Sequence, residues 1–388
     1  MSDLMAQLTH SALGTANKGK LLFFVTEDWY FVSHRLTLAL SAQAAGYDVG
    51  VITRVRAHGD IIRKAGLRLI PFENARSGLN PLVEAWTMVH LIAIYRRERP
   101  AIVHHVALKP VIYGSIAARC AGAPRVINVL AGMGWLVTTG AGLSRLLKPL
   151  VRRALRLLLR SSTALVQNPD DALRLEELGV PKSGIRIIPG SGVDLRRFAP
   201  QREAAGPTVV MLSARLLWEK GVREFVVAAR LLRQRGIAAR FLLVGAPDEA
   251  NASAVPACQI SAWVAEGIIE YRGWVEDMPR MLTECHIVCL PSYYGEGIPK
   301  ALIEAAAAGR AIVTTDMPGC REIVHDGVNG LLVPPRNADA VAVALAKLIE
   351  NPELRRQLGA RGRARAEQEF GIDLVIQQTL ALYRGPTE

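Results

Sequence analysis

The chain has 388 residues, half of them hydrophobic, and a formal net charge of +12. That length suits about two domains, and plentiful aliphatic and small residues against 6% aromatics favour helices packed on parallel sheets over a β-sandwich. Five cysteines without a C-x-x-C pair argue against a disulfide framework or structural zinc and fit a reducing cytosol, no run of about 18 apolar residues is long enough to span a membrane, and the positive excess calls for a polyanionic partner.

In chain order, the first 19 residues lack an apolar core of signal-peptide length and read as a loose tail. A buried parallel strand is predicted at Lys20 to Thr26 (KLLFFVT), then a helix from about Ser33 to Ala45 closed by Gly46. The alternation continues with a strand at Asp48 to Thr53, a helix near Gly59 to Ala65 and a strand at Arg68 to Pro71. Helices at Leu82 to Arg99, Tyr113 to Ala121, Ser144 to Leu159 and Asp170 to Leu178 separate strands at Ile102 to His105, Arg125 to Leu130, Thr163 to Gln167 and Ile185 to Ile188. Phe198 to Pro207 reads as a linker. The pattern restarts at Thr208 to Leu212, with strands at Arg240 to Gly245, Ile269 to Tyr271, Ile287 to Leu290, Ala311 to Thr314 and Gly330 to Val333. Three closing helices follow: Ala338 to Ile349, Pro352 to Phe370 and Leu374 to Tyr383. This is an α/β chain of two doubly wound, Rossmann-like domains, 19–198 and 207–370, with a terminal helix over about 371–385 returning to the first. Ligands of such folds bind beyond the carboxyl ends of the strands, here a cleft between facing domains.

Residues 291–308 read PSYYGEGIPKALIEAAAA. After the strand ending at Leu290, Pro299 suits the first turn of a helix that runs to Ala308 and stops at Gly309. Such a start presents the N–H groups of Gly297, Ile298 and Lys300 and the positive end of a dipole, which suits a diphosphate. Gly297 admits close approach of a ligand. Glu296 stands where a sugar ring can lie, and Glu304 where a carboxylate can accept hydrogen bonds from a ribose diol. Alone, the pair equally fits a capping acid and a surface acid. Arg215 and Lys220, in SARLLWEKG after the first strand of the second domain, supply cations for the diphosphate, although either alone also reads as surface charge. Gly245, in the loop 244–247, and Val275, in GWVED, are placed at the nucleotide base, and Trp274 reads as core. Cys285 and Cys289 read as small apolar residues around a strand.

The long pattern LPSYYGEGIPKALIEAAAAGRAIVTTDMPGCREIVHDGVNGLLV resembles the retaining glycosyltransferase family 4, with its GT-B fold and E-x7-E motif. The resemblance implies that Arg215 and Lys220 bind a donor diphosphate, that Glu296 and Glu304 are the motif pair, and that the reaction needs neither metal nor cofactor. The lack of Asp-x-Asp agrees with that implication. The first domain departs from the commonest pattern: TEDWYFVSHR replaces a Gly-rich loop after the first strand, and NVLAGMGWL holds no histidine. It is similar instead to one branch of the family, through SHR, ARSGLNPL at 75–82, LKPVIYGSIAA at 108–118 and LAGMGW at 130–135. That branch includes transferases that extend sugars on polyprenyl diphosphate carriers. The resemblance thus implies transfer of a hexose or N-acetylhexosamine from an NDP-sugar, with UDP favoured, during surface polysaccharide or glycan assembly.

The acceptor candidates are Glu27, Asp28, His34, Arg35, Lys109, Gly132 and Gly134, with His104 and His105 as weaker ones. Leu143 to Arg160 carries six cations (Arg145, Lys148, Arg152, Arg153, Arg156, Arg160) and no acid, mostly at helical spacing, with Pro149 among them. A basic amphipathic helix of this kind suits an anionic bilayer, which predicts a cytoplasmic protein held peripherally on the inner face of a bacterial plasma membrane. It otherwise reads as a solvated face over a core stripe. No recognition motif or aromatic–basic interleaving speaks for nucleic acid. A transferase on a soluble acceptor, a GT-B sugar epimerase and a catalytically inactive membrane adaptor remain as rival readings.

Overall fold

The computed structural model describes residues 18–73, 81–133, 143–249 and 251–385, with no side-chain description for 81 and 143–148. By its contacts the chain forms two compact units. One runs through Ser191 and includes the chain from Ile376 onward; the other is Gly192–Val375. The boundary therefore falls before the predicted linker. Residues 199–207 contain no regular element, yet they are fastened to the second unit. Arg355, itself buried, donates two 2.8 Å hydrogen bonds to the Glu203 carboxylate, and the ring of His286 bonds the Ala204 carbonyl at 2.9 Å.

The first unit is built on β1 (Lys20–Glu27), β2 (Asp48–Arg54), β3 (Arg68–Pro71), β4 (Ile102–Val106), β5 (Arg125–Leu130), β6 (Thr163–Val166) and β7 (Ile185–Ile187). They form one parallel sheet in the order β3-β2-β1-β4-β5-β6-β7. The continuous apolar run of β1 makes it a central strand, and Leu21, Leu22, Phe23 and Phe24 are wholly buried. Its helices are α1 (Asp28–His34), α2 (Leu36–Ala44), α3 (Gly59–Lys64), α4 (Pro81–Glu98), α5 (Leu108–Ala121), α6 (Leu143–Leu159) and α7 (Pro169–Glu177).

Two helix starts differ from expectation. The helix predicted from Ser33 begins at Asp28, directly after β1, because the Asp28 carboxylate takes the N–H of Trp29. It is then broken at Arg35, whose φ of −129° and ψ of −14° lie outside the helical region. The helix predicted from Tyr113 starts at Leu108. Pro110 is tolerated there because first-turn N–H groups have no partner within a helix.

The second unit holds β8 (Val209–Ser213), β9 (Arg240–Val244), β10 (Glu270–Gly273), β11 (Ile287–Leu290), β12 (Ala311–Thr315) and β13 (Leu331–Val333). These are parallel, in the order β10-β9-β8-β11-β12-β13. Around them lie α8 (Val222–Gln234), α9 (Ala257–Ala265), α10 (Met278–Thr283), α11 (Lys300–Ala307), α12 (Ala338–Glu350) and α13 (Pro352–Arg365). The last helix, α14 (Ile372–Arg384), follows a π-helical stretch at Ala366–Phe370 and counts with the first unit from Ile376 on. There Tyr383 meets the ring of His104 at 2.8 Å. Cys285 and Cys289 are buried in the second core, as apolar packing requires.

In both sheets the strand order reverses beside the first strand, between β1 and β4 and between β8 and β11. Loops leaving two such strands turn to opposite faces and open a crevice at the carboxyl edge of the sheet.

Candidate active site

The crevice of the second unit is flanked by the loop after β8, residues 214–221, and the loop after β11, residues 291–299. These loops are fastened to each other. Tyr293 N–H donates to the Glu219 carbonyl at 3.0 Å, and the Ser292 hydroxyl donates to the same oxygen at 3.1 Å. Gly221 makes the approach possible. Its φ is +76°, and a Cβ there would lie 2.1 Å from the Pro291 carbonyl oxygen. From the other side the Thr315 hydroxyl, at the end of β12, donates to the Ser292 carbonyl. At Gly319 a Cβ would lie 2.0 Å from the Gly297 carbonyl oxygen, so the glutamate loop is closely backed.

This scaffold brings Lys220 and Glu296 together. The ammonium and carboxylate form a close ion pair, with both side chains largely buried. Such a pair holds each charge in place. Arg215 faces Asp248, which follows β9, at 2.9 Å. Gly245 seats that neighbouring loop: its φ is +126°, and a Cβ would meet the Ala214 carbonyl at 1.9 Å. Gly245 N–H also donates to the Gly273 carbonyl at 2.7 Å, which places the ends of β8, β9 and β10 side by side. Val275 packs on the core beside them. Trp274, read as core, is 70% exposed. Apolar character alone does not bury a residue in a strand-end loop.

Pro299 proves to be the N-cap of α11 rather than a first-turn residue, with Gly297 and Ile298 in the loop before it. Glu304, one turn into the helix, is buried. Burial pushes its carboxyl up, opposed by the charge of Lys300, 3.5 Å away. The E-x7-E pair thus divides into a loop acid held by a lysine and a buried helix acid. Among the described residues, no group of three or more His, Cys, Asp or Glu is placed to hold a metal ion.

The first unit's candidates are more scattered. Glu27 and Asp28 are not in a loop: Glu27 ends β1 and Asp28 begins α1. Asp28 is fully buried and accepts the N–H groups of Arg56 and His58 at 2.7 and 2.8 Å, so it anchors the loop after β2. Glu27 lies 3.5 Å from Arg54. His34 stacks on Tyr30, ring centroids 4.2 Å apart. Arg35 is buried, and its Nε and Nη2 have no hydrogen-bond partner among the described residues. Lys109 bonds Glu84 at 2.9 Å. Gly132 takes φ +92° beyond β5, and Gly134 lies outside the described residues. His104 and His105 are core residues. Desolvation drives His104 well below the ordinary value, aided by the charge of Arg35, and brings His105 down to about 4. His105 is enclosed by Tyr95 at 3.0 Å and Asn128 at 2.7 Å.

Two residues at this edge escaped the sequence. Ala107, between β4 and α5, has φ +80° and ψ 163°, a backbone shape otherwise suited to glycine. Nothing in an Ala-Leu-Lys-Pro string announces it. Asp171 is fully buried, and its carboxylate accepts Met133 N–H at 3.2 Å, holding the glycine loop after β5. Its motif, an acid three residues after Asn168, looks like ordinary helix capping.

Comparison with known proteins gives the class of enzyme and the fold. The Glycosyl transferase 4-like model matches residues 20–168, and the Glycosyl transferases group 1 model matches 196–365. The HepE protein of Anabaena, solved with UDP and glucose, has a TM-score of 0.77 at 18% identity, over 95% of this chain and 100% of that one. With two parallel-sheet units, this defines a glycosyltransferase of the GT-B class. The chain carries a glycosyl transferase 4-like domain followed by a glycosyl transferases group 1 domain. It is 28% identical over 350 residues, 87% of this chain and 90% of the relative, to the N,N'-diacetylbacillosaminyl-diphospho-undecaprenol alpha-1,3-N-acetylgalactosaminyltransferase of Campylobacter jejuni. It is also 26% identical over 281 residues, 69% of this chain and 71% of the relative, to the UDP-Gal:alpha-D-GlcNAc-diphosphoundecaprenol alpha-1,3-galactosyltransferase of Escherichia coli.

Proposed function

We propose that the enzyme moves a hexose or N-acetylhexosamine, with retention, from a UDP-sugar to a saccharide carried on polyprenyl diphosphate. The observation that carries this reading is the Lys220–Glu296 pair beside the start of α11. In the resting chain the lysine balances the glutamate and Arg215 balances Asp248. An incoming diphosphate offers both cations denser negative charge, and the helix dipole favours its arrival. Drawn to the phosphates, Lys220 leaves Glu296 to take hydrogen bonds from the sugar. Glu304, with Lys300 beside it, takes the ribose diol, and Gly245 and Val275 border the base. The bond from the anomeric carbon to the diphosphate oxygen then breaks, with Arg215 and Lys220 stabilising the leaving oxygens. The acceptor hydroxyl attacks from the same face, and its proton passes to the departing diphosphate. Protein cations serve this step in place of a metal.

The named substrates of the two relatives support a lipid-diphosphate acceptor, and Glu27, His34, Arg35, Lys109 and Gly132 border or support its site. The basic face of α6 supports an inner-membrane location: Arg152, Arg153 and Arg156, and Arg160 just beyond the helix, are exposed, and no described helix is long and apolar enough to cross a membrane. The test is transfer from UDP-sugars to a polyprenyl-diphosphate-linked acceptor. Glu296→Gln and Lys220→Ala should each lower kcat about 100-fold or more in protein that still unfolds cooperatively. Folded variants turning over at the parent rate would remove these residues from the chemistry.

A further inference from the structure

Helix α4 exposes apolar residues where a monomeric surface has little reason to. Leu82 is 81% exposed, Trp86 72% and Val89 59%, with Val83 beside them. At spacings of four and three they form one stripe on the outer face, opposite Leu91, Ile94 and Tyr95 in the core. The stripe occupies the first half of a helix that follows β3, so it sits toward the carboxyl edge of the sheet, where the acceptor candidates lie.

What covers it is indicated by its neighbours. α5 packs between α4 and α6: its Tyr113, Ala117 and Ala118 join the α4 cluster, and its Val111, with Leu108 and Ile112, joins Leu155 and Leu159 of α6. Lys109 of α5 bonds Glu84, so the acid next to the stripe is neutralised. α6, in the same layer, exposes Arg152, Arg153 and Arg156 together with Leu150 and Leu157, with exposed Arg160 just after it, and it contains no acid. An apolar ridge with a tryptophan, in one helical layer with an exposed cationic face, complements an anionic bilayer: rings and leucines enter the interface while guanidinium groups meet the headgroups.

We infer that the α4 ridge, Leu82, Val83, Trp86 and Val89, is an insertion element that seats the first unit in an anionic membrane, with α6 as its electrostatic partner. This rests on the lipid-carried acceptor proposed above and adds the surface that reaches it. The ridge contributes apolar burial, which survives salt; the α6 cations contribute attraction, which salt screens.

The full chain is tested by co-sedimentation with vesicles of phosphatidylethanolamine and phosphatidylglycerol. Trp86→Ser should weaken binding about tenfold, at low and high salt alike. Arg152→Glu with Arg153→Glu should weaken it only at low salt. Brominated lipids should quench the parent's fluorescence more than that of Trp86→Phe. Transfer to a short-chain, water-soluble acceptor should be unchanged in Trp86→Ser, since the residue is none of those assigned to the donor or acceptor. The inference fails if Trp86→Ser binds vesicles like the parent. It also fails if the parent is a dimer that this variant splits, because the ridge would then be a contact between copies. Vesicle binding by a chain that transfers to no lipid-linked acceptor would keep the inference and overturn the proposed acceptor. Transfer to the short-chain acceptor without vesicle binding would do the reverse.

Discussion

At the scale of single residues, backbone shape governs the site. Gly221 holds φ +76° with the Pro291 carbonyl where a Cβ would go. Gly221→Ala should therefore destabilise the second unit by about 2 kcal/mol and abolish stabilisation by UDP, measured by urea and thermal unfolding. Ala107 presents the opposite case: an alanine in a glycine conformation. Ala107→Gly should raise the unfolding free energy by about 1 kcal/mol through relief of strain. His105 carries a pH dependence. Folded, it takes its proton only near pH 4, because burial disfavours the charge; unfolded, it does so at about 6.5. Between those values the unfolded chain binds the proton and the folded chain does not. Stability is thus fully present above about pH 6.5 and falls as pH drops toward 4, by about 3 kcal/mol for this group alone. Urea titrations across that window should show the slope, reduced in a His105→Gln variant.

At the scale of elements, buried polar links decide where helices sit. Asn128 of β5 bonds His105, accepts from the Ser115 hydroxyl of α5 at 3.1 Å and donates to Ser162 at 3.0 Å. Ser162 in turn donates to the Leu158 carbonyl at the end of α6. One asparagine therefore ties the basic helix to the sheet. Asn128→Ala should lower stability by about 2 kcal/mol, because buried His105 and Ser115 and half-buried Ser162 lose a partner, and amide exchange should quicken first at the end of α6. Little of this was legible. Periodicity placed nearly every helix and strand, but α1 starts early at a carboxylate anchored to the distant N–H groups of Arg56 and His58, and α5 starts early because a proline is tolerated in its first turn. The break at Arg35 lies inside a stretch whose composition reads as continuous helix.

For the whole molecule, the alternation of strand and helix was enough to announce two parallel-sheet units, because only buried parallel strands are apolar throughout. Their division was less legible, since the segment 199–207 lacks a regular pattern and yet is fastened by Arg355 and His286. By itself, the sequence determined the fold class and the sugar-transfer family, and it singled out the proposed donor residues, since a loop glutamate, a helix start and two cations lie within short, patterned stretches. The tertiary structure alone decided that Lys220 pairs with Glu296 and that Asp28 and His105 are buried and hydrogen-bonded within the first unit. It also exposed Trp86 and Trp274 while burying Arg35. Each of these depends on which distant segments meet at a strand end or across a helix layer. Local pattern does not encode that, because burial and ion pairing are properties of neighbours in space.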